Sequence, residues 1–215
     1  MKRFSAVTVC AALTSSATAA PLNPWAGATS AGTVLPTQYV YAGRGGASTS
    51  TYLGIGFTDH IDVITGAGVA FEQEELAFGG AEVIPRFCVT EGACFAARVA
   101  SDLDRLEVGP ELHTAWSKGI FAFTGNFAWR TVYEDSSVGM AIIAPEVFVS
   151  ERLSLFTEIN PSIDFLSSQA SVSLVPGASL TFGKDSNHSV AVGLDVAEGA
   201  PPMFGAWYGT GFSRR

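Results

Sequence analysis

Acidic and basic side chains recur in this chain at spacings of two. Glu107, Glu111 and His113 share parity, so an extended strand carries all three on one face. Arg86, Arg98, Arg130, Glu146, Glu158, Asp164 and Asp195 likewise stand on the opposite parity from apolar neighbours. Gathered around a common interior, such groups could do one of two things. They could form a polar, net acidic conduit or binding site that favours cations over anions. They could instead pair as arginine–carboxylate braces that fill a narrow space. The sequence leaves both readings open.

Covalent chemistry is harder to find. His113 with Glu111 is the only interior pair that could serve a lipid hydrolase, and no serine has the Gly-x-Ser-x-Gly context of a nucleophile elbow. His60 and His188 fall at turns, where a solvated imidazole is expected. There is no phosphate loop, dinucleotide fingerprint, zinc spacing or calcium loop. No catalytic, cofactor-binding or metal-binding residue is therefore assigned, and no cofactor is expected. Gly43-Arg44-Gly45-Gly46 reads as a flexible loop. Cys88 and Cys94 flank Val89-Thr90-Glu91-Gly92-Ala93, which reads as a hairpin connection. The two thiols could be bonded across it or both be free.

The elements that must position these groups are strands. From Leu153 to Phe165, Leu153, Leu155, Thr157, Ile159, Ile163 and Phe165 alternate with Ser154, Phe156, Glu158, Asn160, Ser162 and Asp164. Val172, Leu174, Ala178, Leu180 and Phe182 alternate with Ser171, Ser173, Val175, Gly177, Ser179 and Thr181. Val190, Val192, Leu194 and Val196 alternate with Ala191, Gly193 and Asp195. There is no heptad and no sustained helical period. Strand centres are expected near Tyr39, Gly54, Ala67, Arg86, Ala97, Gly109, Gly125, Ile143, Ile159, Ala178, Gly193 and Tyr208. The count is about twelve, within a range of roughly 10–14, and each segment fits the ~9–11 residues of a tilted membrane strand. Short connections are expected at Thr58-Asp59-His60, Ser150-Glu151-Arg152 and Gly183 to Asn187. Longer ones are expected from Glu72 to Ala81 and from Ala197 to Pro202.

Composition separates the function classes. Hydrophobic residues make up 47% of the 215-residue chain. No segment after the leader approaches the ~18 consecutive apolar residues of a membrane helix. High hydrophobicity broken at short range suits a transmembrane barrel, which offers alternate residues to lipid and to a polar interior. Residues 1–19 read as a cleaved signal peptide. Lys2 and Arg3 precede an apolar stretch that ends in Ala17-Thr18-Ala19. Losing those two cations takes the formal net charge from −8 to −10. Such acidity, without a basic cluster, excludes nucleic acid as a partner. Residues 20–33 read as an extended lead-in, 34–212 as the barrel and 213–215 as a tail.

Three patterns favour membrane over solution. Aromatics recur at strand ends (Phe57, Phe71, Trp116, Tyr133, Phe165, Phe182 and Phe212), like the girdles of outer-membrane barrels. Most strand glycines share the inferred interior face, as a narrow closed barrel requires. Charges avoid the apolar face, where Arg or Lys at the bilayer midplane costs about 2–4 kcal/mol.

The run Tyr52-Leu53-Gly54-Ile55-Gly56-Phe57-Thr58-Asp59-His60-Ile61-Asp62-Val63 resembles a strand–turn–strand pattern of Gram-negative outer-membrane barrels. Ser150 to Glu158 is similar to it. Met203 to Phe212 resembles a last barrel strand, although Ser213-Arg214-Arg215 follow the aromatic. The resemblance is to porin-like barrels, including hydrocarbon transporters of the meta-pathway phenol-degradation type. It implies an all-β, closed, antiparallel up-and-down transmembrane barrel in the bacterial outer membrane. The implied role is a passive channel or binding barrel for small solutes. The implied partners are outer-membrane lipid and the assembly machinery, with a monomeric state. The alternatives are a structural or adhesive barrel with a side-chain-plugged lumen, and a secreted soluble β-sandwich.

Overall fold

The computed structural model describes residues 29–43, 46–72, 75–90, 92–132, 136–182, 188–197, 202–210 and 212–213. Alternation of apolar and polar residues gives twelve long strands: β1 (Thr33–Gly43), β2 (Gly46–Gly56), β3 (Ile61–Glu72), β4 (Glu75–Thr90), β5 (Ala93–Ser101), β6 (Leu106–Lys118), β7 (Phe121–Val132), β8 (Ser136–Phe148), β9 (Leu153–Asp164), β10 (Gln169–Phe182), β11 (His188–Ala197) and β12 (Met203–Thr210). Each pairs antiparallel with its sequence neighbours. A two-residue strand, β13 (Phe212–Ser213), continues the last edge and pairs with Val34 and Thr33.

β1 and β12 close the sheet from Thr37↔Gly209 to Gly43↔Met203. Closure removes both free edges of the sheet, as a lipid environment demands. All the strand centres expected from the sequence fall inside their strands.

The faces are inverted relative to a soluble protein. Leu174 is 44% exposed and Val192 42%, whereas Arg98 is 2% exposed and Glu158 0%. Leu53, Phe87, Val99, Phe127, Leu155 and Phe204 join the outer apolar surface. Burying an apolar exterior of this extent takes lipid. This overturns the β-sandwich alternative: no dry centre lies between two sheets. Phe57, Phe71, Trp116, Phe165 and Phe182 are exposed at strand ends, at the positions expected for interfacial girdles. Tyr133 lies outside the described residues.

One connection differs from expectation. Glu72 to Ala81 is not a long loop, because β4 begins at Glu75 and pairs back along β3 through Phe71↔Leu76 and Val69↔Phe78. A bulge interrupts that pairing. The register shifts at Gly68/Val69, and Gly80 adopts φ 119°. The remaining described connections are short at both ends, so the expected long-loop end is not seen among the described residues. The predicted signal peptide, the first nine residues of the lead-in, the turn 183–187 and residues 198–201 lie outside the described residues.

Candidate functional site: the charged lumen

The interior divides into two walls. The first is built on β3 to β7, and its charges form one continuous chain. It begins at the end of the barrel where β1 starts. There Ser30 accepts from the Thr33 N–H at 3.0 Å, with Gly32 at φ 71°, and this tight turn folds Thr29 back against the wall. Gly56 permits the approach, since a Cβ there would sit 2.1 Å from the Ser30 carbonyl oxygen. The buried Thr29 N–H donates to Asp62 Oδ2 at 2.6 Å.

Arg86 grips the same carboxylate with two donors, Nε to Oδ1 at 2.7 Å and Nη2 to Oδ2 at 2.5 Å. Its Nη1 lies 3.3 Å from His113 Nδ1, and His113 Nε2 lies 2.7 Å from Glu111 Oε2. Arginine can only donate, so Nδ1 accepts and Nε2 carries the proton given to Glu111. Arg130 Nη2 donates to Glu111 Oε1 at 3.3 Å, and its Nε lies 3.7 Å from Glu107. Arg98 is ion-paired with Glu107 at 3.0 Å and with Glu82 at 2.6 Å. The register explains the contact order: Asp62↔Arg86, Arg86↔Ala96 and Ala96↔Glu111 form one row across the sheet, and Arg98↔Gly109 lies next along it.

Cys88 and Cys94 face each other in the β4–β5 register and are disulfide-bonded, both fully buried. Cys94 in turn pairs with His113, so the covalent link stands beside the charge chain.

The second wall, on β8 to β12 with β1 and β2, is different in kind. None of these strands contains a lysine or an arginine. They contribute Glu146, Glu158 and Asp195 instead. Glu146 stands opposite Phe156, and Glu158 stands opposite Val175. Asp195 pairs with Met203. Ser154 hydrogen-bonds Glu146 and Ser173 hydrogen-bonds Asp195. Neither oxygen of Glu158 has a hydrogen-bond partner among the described residues.

Between these carboxylates the surface is aromatic. Tyr39, Tyr41, Tyr52, Phe156 and Trp207 are buried inside the barrel, with Tyr39 and Tyr52 edge-to-face at 5.5 Å. The rings lie against inward glycines. A Cβ on Gly177 would meet the Phe156 ring at 2.3 Å, and one on Gly205 would meet Tyr41 at 2.8 Å.

Of the interior residues expected from the sequence, Arg86, Arg98, Glu107, Glu111, His113 and Arg130 come together on the first wall. Glu146, Glu158 and Asp195 share the second. Asp164 does neither. It folds onto its own turn, accepting from the Leu166 N–H at 3.0 Å and the Ser167 hydroxyl at 2.7 Å. Sequence reasoning missed Asp62 and Glu82. Asp62 sits in Ile61-Asp62-Val63-Ile64, where both parities are apolar because Ile64 also points inward. Glu82 directly follows the segment misread as a loop.

No protein-family model matches the chain, and no curated protein matches it. Solved structures do. A structure titled KdgM porin superposes with TM-score 0.64 at 9% identity, covering 83% of this chain and 99% of its own. An outer membrane channel from Pseudomonas putida F1 gives 0.60 at 11% identity, covering 86% and 97%. The fold is that of an outer-membrane β-barrel. The translocator domain of the autotransporter NalP from Neisseria meningitidis also matches, at TM-score 0.64 and 10% identity, with 97% of each chain covered. One barrel geometry thus serves proteins of differing description, and the activity must be argued from the lumen.

Proposed function

We propose that the barrel is a passive channel or binding barrel for small solutes, selective for cations over anions. The observation that carries this reading is the second wall: Glu146, Glu158 and Asp195 on strands with no lysine or arginine. The three arginines of the described lumen are already committed to Asp62, Glu82, Glu107 and Glu111 on the first wall. A field of unneutralised carboxylates raises the local concentration of cations and repels anions. Two of the structural neighbours are titled a porin and an outer membrane channel, which supports passage as the task of the fold. In this reading the chain is exported by its cleaved signal peptide, is inserted by the outer-membrane assembly machinery and works as a monomer. His113 is a link in the charge chain, engaged on both ring nitrogens, and not a general base.

Liposome swelling with size-matched cationic, neutral and anionic solutes tests the proposal. Faster entry of the cationic solute is expected. A second reading, a structural barrel sealed by its own side chains, is favoured by the complete burial of Arg98 and Glu158. Folded protein that admits none of the solutes would establish that reading instead.

A further inference from the structure

We infer that Glu158 and Asp195 form a binding site for a primary alkylammonium group. The inference deepens the cation-selective reading above and rests on it for access, but not for its chemistry. Glu158 and Asp195 lie on the same row of the sheet. Glu158 pairs with Val175 on β10, and the neighbouring pair Leu174↔Val196 sets Val175 against Asp195 on β11. The two carboxylates are close enough to act on each other electrostatically, and both act on Tyr41. Asp195 is partly exposed, while Glu158 is fully buried.

Glu158 offers two oxygens with no hydrogen-bond partner among the described residues, and one Asp195 oxygen is also unpartnered. A cationic donor entering here would supply the hydrogen bonds these buried oxygens lack. An ammonium head with three N–H donors matches them; a quaternary ammonium has none to give.

The surroundings choose an organic cation over a metal ion. No group of three or more His, Cys, Asp or Glu among the described residues is gathered closely enough to hold a metal. The space between the two carboxylates is instead floored by Val175. On the adjoining row Phe156 lies against Gly177 and toward Gly193, and Tyr41 lies over Gly205. An alkyl chain rests on such a surface, and the Tyr41 ring face favours an adjacent cation.

The experiment is calorimetric titration of the detergent-folded full barrel with n-butylammonium, tetramethylammonium and sodium. Folding of each variant is checked by the mobility of unheated protein. Butylammonium is expected to bind, and tetramethylammonium roughly tenfold or more weakly. Sodium should fail to displace butylammonium at equal concentration. E158Q and D195N should each weaken butylammonium by about tenfold or more, while E151Q, in an exposed turn, should leave it unchanged. Absence of butylammonium binding to folded wild-type barrel overturns the site, as do unaltered affinities in both E158Q and D195N or displacement by equal sodium. Binding is read without flux, so the two readings fail separately. A barrel that passes cations but ignores butylammonium loses only the site. One that binds it but passes nothing loses only the channel.

Discussion

The two halves of the lumen wall use carboxyl groups to opposite ends. On β3 to β7, carboxylates, arginines and His113 form one unbroken chain from Asp62 to Glu82, and the disulfide ties β4 to β5 beside it. On β8 to β12 the carboxylates stand without a basic residue on any strand, among aromatic rings laid on glycines. A buried charge is tolerable when paired and costly when alone. The first wall therefore has the form of a brace. The second retains carboxyl groups with no basic partner on its strands, which serve no bracing purpose, and that is the expected signature of a functional surface at odds with local stability.

Breaking the brace should give the largest effect. Arg98→Met strands Glu82 and Glu107 in a dry interior and should destabilise the barrel by about 3–5 kcal/mol in urea titration in lipid vesicles. Breaking the exterior comes next. Leu174→Arg or Val192→Arg should cost about 2–4 kcal/mol by the same titration, and Ser173→Arg, facing inward at a half-buried position, should cost clearly less. Equal costs at all three would contradict the assigned facing. Replacing Cys88 and Cys94 together by alanine should cost about 2 kcal/mol, since the loop they close is short. The smallest effect on stability belongs to the second wall. Glu158→Gln keeps the shape, removes a buried carboxyl that has no hydrogen-bond partner among the described residues, and should leave the barrel as stable as wild type or more so. A loss as large as that of Arg98→Met would erase the contrast between the walls.

Much of this was legible in the sequence, because a barrel wall imposes a period of two wherever lipid meets one face. Leu174, Val192 and Leu155 declare the outside, and Arg98, Glu111 and Glu158 the inside, without knowledge of any neighbour. The pattern weakens where the interior itself is apolar. Ile64 and Ile84 are buried in the lumen, so β3 and β4 read as apolar on both parities and hide Asp62 between them. The segment from Glu72 to Ala81 reads as a connection, although β4 runs through it with a bulge against Gly68/Val69, and that error conceals Glu82. Asp164 has the parity of the interior, but a strand-end carboxylate is more readily used by its own turn. The division into two walls was not legible at all. It depends on the register that sets each arginine beside carboxylates of the adjacent strands, and on His113 reaching Arg86 from two strands away.

The reversal potential of single barrels in a planar bilayer under a potassium chloride gradient tests the division most directly. Wild type should show cation preference, and E146Q/E158Q/D195N should lose it while retaining the wild-type fold. A preference that survives that triple replacement, or an anion preference in the wild type, would contradict the assignment of selectivity to the second wall.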